Sequence, residues 1–231
     1  MTKLLVSVTN AEEALLAVEN GAALIDVKDP HQGSLGATSP NVWQQVIRAV
    51  GKKVPVSAAL GELRDGHVHE LVKQTDGLRF AKFGLAGCVP DFDWQVQWMD
   101  WRAGLPMRTL PVMVVYADWR ECGAPHPQEC LNLVKKIKVS AVLVDTCIKN
   151  GESLRDHCTE EQLVKFSRAV RKLKAVLVLA GSLQFADLPA LLPLAPDYIA
   201  VRGSVCKGAR TGPLDGKLVR KWSSALSIAR E

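Results

Sequence analysis

Long apolar runs are missing from this chain of 231 residues: the longest purely apolar stretch in its second half covers residues 175–180. A membrane-spanning helix requires roughly 20 such residues, so the sequence predicts no membrane partner. The opening run Leu4-Leu5-Val6 is broken by Ser7, Thr9 and Asn10 before a signal-peptide core forms, which predicts a cytoplasmic protein. Cysteine is sparse. The six residues Cys88, Cys122, Cys130, Cys147, Cys158 and Cys206 include no CxxC pair and are too few to staple a chain of this length, so they read as reduced thiols. A large excess of one charge is also lacking, because 29 Lys plus Arg face 24 Asp plus Glu for a net charge of +5. The basic residues are scattered, and pairs such as Lys135-Lys136 and Arg171-Lys172 read as solvated helix surface, so nucleic acid is not an expected partner. No Ser/Gly linker, charge block or short internal repeat divides the chain, and 48% hydrophobic residues supply one well-buried core. Residues 1–231 are expected to form a single domain.

Short β-branched runs recur over residues 4–8, 23–28, 54–58, 77–82, 109–116, 140–145, 175–180 and 198–202, each followed by helically spaced apolar residues. That alternation marks βα units around a parallel sheet. Eight units of about 29 residues each fit an α/β fold, a single compact (β/α)8 or TIM barrel. A doubly wound open sheet is the alternative, but its first strand is usually followed by a glycine-rich dinucleotide turn, and none follows Val8. Helix ends agree with the segmentation. Asn10 and Glu13 are spaced for a capping box, with Gly21 just past the helix end, and Thr159 with Gln162 repeats the spacing. Ser39-Pro40 opens a helix whose apolar face, Val42, Trp43, Val46, Ile47 and Val50, is closed by Gly51. Residues 121–127 and 203–216 read as long loops, the second rich in glycine and basic side chains.

Barrels of this kind keep their chemistry at the carboxyl ends of the strands. In Leu24-Ile25-Asp26-Val27-Lys28 the two-residue period turns Ile25 and Val27 toward helices, and Asp26 and Lys28 into the barrel mouth. Such a pair also occurs as a plain ion pair at a strand end, yet burying both charges is costly unless they are well paired, which favours a functional role. By the same alternation Lys82 and Asp145 face inward from the fourth and sixth strands, with Lys149 close behind, while Arg79 is expected to point outward between helices. Neighbouring lysines in a low-dielectric mouth depress each other's proton affinity, and an amine neutral near pH 7 attacks carbonyls. The chemistry indicated is Schiff-base formation. Gly181-Ser182 and Arg202-Gly203-Ser204 then place small residues, hydroxyls and a positive charge after the last two strands, where barrels bind phosphate through backbone N–H groups. Each is a tight turn if taken alone; together they favour a phosphate site.

Other signals are weaker. His67-Val68-His69 lacks a third ligand of obvious geometry and reads as surface, so no metal is expected, and His31, His126 and His157 are isolated. Trp94, Trp98 and Trp101 share one helical face, which fits helix-to-barrel or subunit packing and leaves a homo-oligomer open.

Four stretches carry a family likeness: LIDVKDPHQGSLGA at 24–37, LVDTCIKNG at 143–151, LAGSL at 179–183 and VRGSVCKG at 201–208. Together they resemble the (5-formylfuran-3-yl)methyl phosphate synthase family, and the resemblance covers nearly the whole chain. Members of that family are (β/α)8-barrel lyases that condense two molecules of glyceraldehyde 3-phosphate into a phosphorylated furan, the first committed step toward methanofuran or bacterial methylofuran. The resemblance therefore implies an organism with C1 metabolism, a methanogenic archaeon or a methylotrophic bacterium. It places the Schiff-base lysine at Lys28 and the proton-accepting lysine at Lys82.

On this reading Lys28 forms an imine with one triose phosphate, Lys82 moves the adjacent proton, and Asp26 and Asp145 orient the lysines and shuttle protons. Lys149, Gly181, Ser182, Arg202, Gly203 and Ser204 hold phosphate, and no metal or organic cofactor enters. One rival is a class I aldolase-type barrel acting on another phosphosugar, which would release no inorganic phosphate. The other is an inactive barrel serving as a binding protein, against which four costly inward charges argue.

Overall fold

The period-two segments form the strands of a closed barrel in the computed structural model, which describes residues 1–90 and 93–228. In chain order the elements are β1 (Lys3–Val8), α1 (Ala11–Glu19), β2 (Leu24–Val27), α2 (Pro40–Val50), β3 (Val56–Glu62), α3 (Val68–Leu71), β4 (Phe80–Gly84), α4 (Trp94–Ala103), β5 (Leu110–Tyr116), α5 (Pro127–Ile137), β6 (Ala141–Asp145), α6 (Leu154–His157), α7 (Glu160–Lys172), β7 (Val176–Leu179), α8 (Leu188–Leu191), β8 (Tyr198–Val201) and α9 (Gly216–Ile228). Each strand pairs in parallel with the next, and β8 returns to β1 from Lys3↔Tyr198 to Val6↔Val201. This is the (β/α)8 TIM barrel expected from the sequence, and among the described residues no helix is long and apolar enough to cross a membrane.

Alternation sorts the strand residues into two cores. Val6, Ile25, Phe83, Val144 and Ile199 pack outward beneath the helices, while Leu5, Leu24, Val112, Leu143 and Val178 fill the interior. Each such side chain contributes roughly 1.5–3 kcal/mol on burial. Toward the carboxyl ends the inward series turns polar, with Ser7, Asp26, Ser57, Lys82 and Asp145 all buried. The floor of the barrel is therefore an apolar plug and the mouth a charged cluster.

Local departures from expectation have identifiable causes. β4 begins at Phe80, so Arg79 precedes the strand and is exposed, with its guanidinium carbon 5.7 Å from the Phe80 ring centroid. Asn10 caps α1 by accepting from the Glu13 N–H at 2.9 Å, but the Glu13 carboxylate does not complete the box. It accepts instead from the Thr9 N–H at 2.8 Å and the Thr9 hydroxyl at 3.0 Å, and it pairs with Arg202. Ser39 makes no side-chain cap bond ahead of Pro40, whereas Thr159 and Gln162 form both bonds of their box. Trp98 and Trp101 pack on the outward ring of Phe83, with centroids 6.4 and 4.6 Å away, which makes them helix-to-barrel contacts.

Candidate active site

β2 presents Asp26 near its end, and Lys28 follows the strand directly, so the two-residue period sends both into the mouth. Asp26 is 2% exposed and held from three strands. Ser57 on β3 donates to its Oδ1 at 2.6 Å, Ser7 on β1 donates to its Oδ2 at 3.2 Å, and the Lys82 ammonium on β4 pairs with Oδ1. The Lys28 amine donates to the Ser34 carbonyl at 3.1 Å, and the Ser34 hydroxyl donates to the Thr146 carbonyl at 2.8 Å, tying the loop after β2 to the end of β6. There Asp145 Oδ1 accepts from Lys149 Nζ at 2.9 Å and from the Thr146 N–H at 2.8 Å.

Burial is what most depresses Lys28, bringing its pKa to about 8; Asp145 and Asp26 oppose the shift, and Lys149 and Lys82 add to it in a smaller way. The lysine neighbour invoked from the sequence is thus a minor contributor beside desolvation. At pH 7 an amine of this basicity is ~10% neutral, against ~0.03% for an ordinary lysine. Burial works to raise Asp145, but Lys149 and Lys28 outweigh it and keep the carboxylate below its ordinary range.

The opposite wall comes from the loops after β7 and β8. Gly181 has φ of 97°, and a Cβ there would sit 3.2 Å from Leu154 Cβ and from Thr146 N, so this turn needs glycine. Arg202 is 7% exposed and its five N–H groups are spent within the chain. It bonds the Arg210 carbonyl at 3.0 Å, the Ser7 carbonyl at 3.2 Å, the Gly212 carbonyl at 2.9 Å and both Glu13 oxygens at 2.5 and 3.2 Å. Arg202 therefore braces the loop after β8 and has no donor left for a phosphate. The Ser204 hydroxyl is buried without a partner.

Asp26, Lys28, Lys82, Asp145, Lys149, Gly181, Ser182, Arg202, Gly203 and Ser204, all singled out from sequence, border one cavity of about 380 Å³. Lys28, Lys82, Lys149, Arg202 and Arg210 face it against Asp26 and Asp145, a balance suited to an anionic guest. Sequence reasoning did not single out Ser7, Ser34, Ser57 or Arg210, the last of which lies in the basic glycine-rich loop already noted. It also passed over Asp118, fully buried, whose carboxylate accepts from the Cys147 N–H at 2.8 Å and the Ile148 N–H at 2.7 Å and so fixes the loop carrying Lys149. Glu62 was missed as well. Its Oε1 accepts from the Tyr116 hydroxyl at 2.6 Å and its Oε2 from the Ala86 N–H at 2.9 Å, and burial pushes it up to about 7. His67 is exposed, and among the described residues no group of three or more His, Cys, Asp or Glu is placed to hold a metal.

The profile of the 4-HFC-P synthase family matches residues 4–223. The chain belongs to the 4-HFC-P synthase family. A (5-formylfuran-3-yl)methyl phosphate synthase of Methanopyrus kandleri is 35% identical over 97% of this chain and 99% of its own length, and one of Methanosarcina barkeri is 34% identical over 95% and 97%. A protein of Streptomyces griseus described as a putative (5-formylfuran-3-yl)methyl phosphate synthase is 35% identical over 89% and 86%. Among solved structures, phosphoribosyl anthranilate isomerase in complex with reduced 1-(o-carboxyphenylamino)-1-deoxyribulose 5-phosphate superposes with a TM-score of 0.67, covering 99% of this chain and 100% of that one at 14% identity. At that identity the likeness concerns the fold alone. Each of the four stretches that carry the 4-HFC-P synthase likeness contributes residues to the cavity wall described above.

Proposed function

We propose that this chain joins two molecules of glyceraldehyde 3-phosphate into (5-formylfuran-3-yl)methyl phosphate through an imine on Lys28, as a carbon–oxygen lyase. The observation that carries the reading is the Lys28 amine, buried at the end of β2 with its proton affinity lowered, between the Asp26–Lys82 and Asp145–Lys149 pairs. Neutral Lys28 attacks the aldehyde carbon of the first triose, and loss of water gives an imine. The imine acidifies the neighbouring C–H bond. Lys82, held by Asp26, takes part in moving that proton, and the resulting enamine attacks the aldehyde of the second triose. One phosphate is eliminated, ring closure and dehydration give the furan, and hydrolysis frees Lys28. The net balance for two trioses is one furan phosphate, one inorganic phosphate and two waters. Asp145 sits where it can exchange protons with Lys149, and the loops after β7 and β8 supply the anion wall. No step calls on a metal or an organic cofactor.

The test is product stoichiometry from purified protein and glyceraldehyde 3-phosphate. One inorganic phosphate released per two trioses consumed, together with a furan phosphate of the expected mass, is the result this reading requires. Carbon–carbon bond formation without phosphate release would assign the chain to aldolase chemistry instead.

A further inference from the structure

Arg210 is the one arginine of the cavity wall with donors to spare. It is half-buried, and among the described residues no carboxylate lies within ion-pair distance of it. Two of its N–H groups are used on backbone carbonyls of the loop after β2, Pro30 at 2.8 Å and Gly33 at 3.0 Å. Three remain. The backbone behind it is fixed from the other side, since buried Arg202 bonds the Arg210 carbonyl at 3.0 Å while its own charge is answered by Glu13. Gly203 lies back to back with Arg210, so that a Cβ on Gly203 would come 3.4 Å from Arg210 Cβ, and Ser204, whose hydroxyl is buried and unpartnered, lines the same cavity. Burial works against the Arg210 charge, with Asp145 and Asp29 only distant counterweights. A planar guanidinium held at two points, with three donors left over on the wall of a cavity that Ser204 also lines, is built to take an oxyanion.

We propose that Arg210, together with the Ser204 hydroxyl, is the side-chain determinant that recognises the phosphate group of the substrate, with Arg202 and Glu13 as the brace that positions it. This deepens the furan-forming reading above and rests on it for the identity of the phosphate ester. The geometry also couples recognition to the nucleophile: Arg210 grips the Gly33 carbonyl, and the next carbonyl, that of Ser34, receives the Lys28 amine. An anion drawn onto Arg210 thus reaches the loop that seats Lys28.

Two measurements on Arg210→Met and Arg210→Lys decide the matter. The first is binding of inorganic phosphate by calorimetry, which requires no imine chemistry. The wild type should bind phosphate, Arg210→Met should weaken it at least tenfold, and Arg210→Lys should fall between. The second is the rate of borohydride trapping at Lys28 with glyceraldehyde 3-phosphate against unphosphorylated glyceraldehyde. Arg210→Met should lose at least tenfold more with the phosphate ester than with glyceraldehyde, erasing the preference. Unchanged phosphate binding, or an equal loss with both aldehydes, overturns the assignment to phosphate recognition. Loss of phosphate binding in Arg210→Met, in a wild type that traps neither aldehyde at Lys28, would keep the anion site and sink the furan-forming reading alone.

Discussion

Lys82 and Asp26 form an ion pair inside the barrel that reaches from β4 to β2, past Ser57 of the intervening β3, which donates to the same Asp26 oxygen. Both side chains are at most 5% exposed, so removing one partner leaves a buried charge unanswered. Asp26→Asn should cost about 3–5 kcal/mol in urea denaturation. The double variant Asp26→Asn/Lys82→Met should recover much of that loss while remaining without furan-forming activity, which separates the structural from the chemical part of the pair.

The basicity of Lys28 makes the pH profile informative. Attack requires the neutral amine, so kcat/KM should rise with pH and level off above about 8. Asp145 is the charge that most raises Lys28, so Asp145→Asn should move the rising limb to lower pH; Lys149→Met removes a like charge and should move it up. Trapping rates at Lys28 measured across pH give these limbs even where turnover is weak.

Glu62 should show the opposite dependence in stability. Its folded pKa, about 7, lies above the unfolded value of 4.5, so the folded state holds the extra proton between those pH values. Stability contributed by this group is greatest below pH 4.5 and declines as pH rises through about 7. Glu62→Gln should lack that decline, a difference on the order of 2–3 kcal/mol by pH 8 from the linkage relation, visible as convergence or crossing of the two Tm curves.

Gly84 reports on the same corner. A Cβ there would lie 2.1 Å from Glu62 Oε2 and 2.2 Å from the Tyr116 hydroxyl, so Gly84→Ala should destabilise the fold by about 1–3 kcal/mol. Adding Glu62→Ala should relieve part of that cost in a double-mutant cycle.

Glu13 gives a prediction with acid sign. Burial works to raise it, but its bonds with Arg202 and Thr9 prevail and hold it below 4.5. Its contribution is therefore present above pH 4.5 and is lost as pH falls through the lower folded value. Glu13→Gln should cost about 1–3 kcal/mol at pH 7 and progressively less toward pH 3, and it should raise KM for the phosphorylated substrate by loosening the loop that carries Arg210.

What could be read from sequence was what repeats with a period. All eight strands are visible because apolar and β-branched residues alternate, and the same alternation places Asp26, Lys28, Lys82 and Asp145 inside. Glu62 escaped because the β3–β4 register shifts between Ala59 and Glu62, so the count of two fails just before it. Glu13 read as a helix cap because nothing local announces a partner 189 residues away. Arg202 looked like a phosphate ligand on charge and position alone, but its five bonds within the chain leave it no free donor. Loop side chains carry no period, so their partners emerge only from the fold.

Borohydride reduction of the protein with glyceraldehyde 3-phosphate, followed by peptide mass mapping, tests the central claim most directly. The account predicts a single reduced triose phosphate adduct on Lys28, absent from Lys28→Ala and faster to form at pH 8 than at pH 6. An adduct confined to another lysine, or none while furan phosphate is still produced, would contradict it.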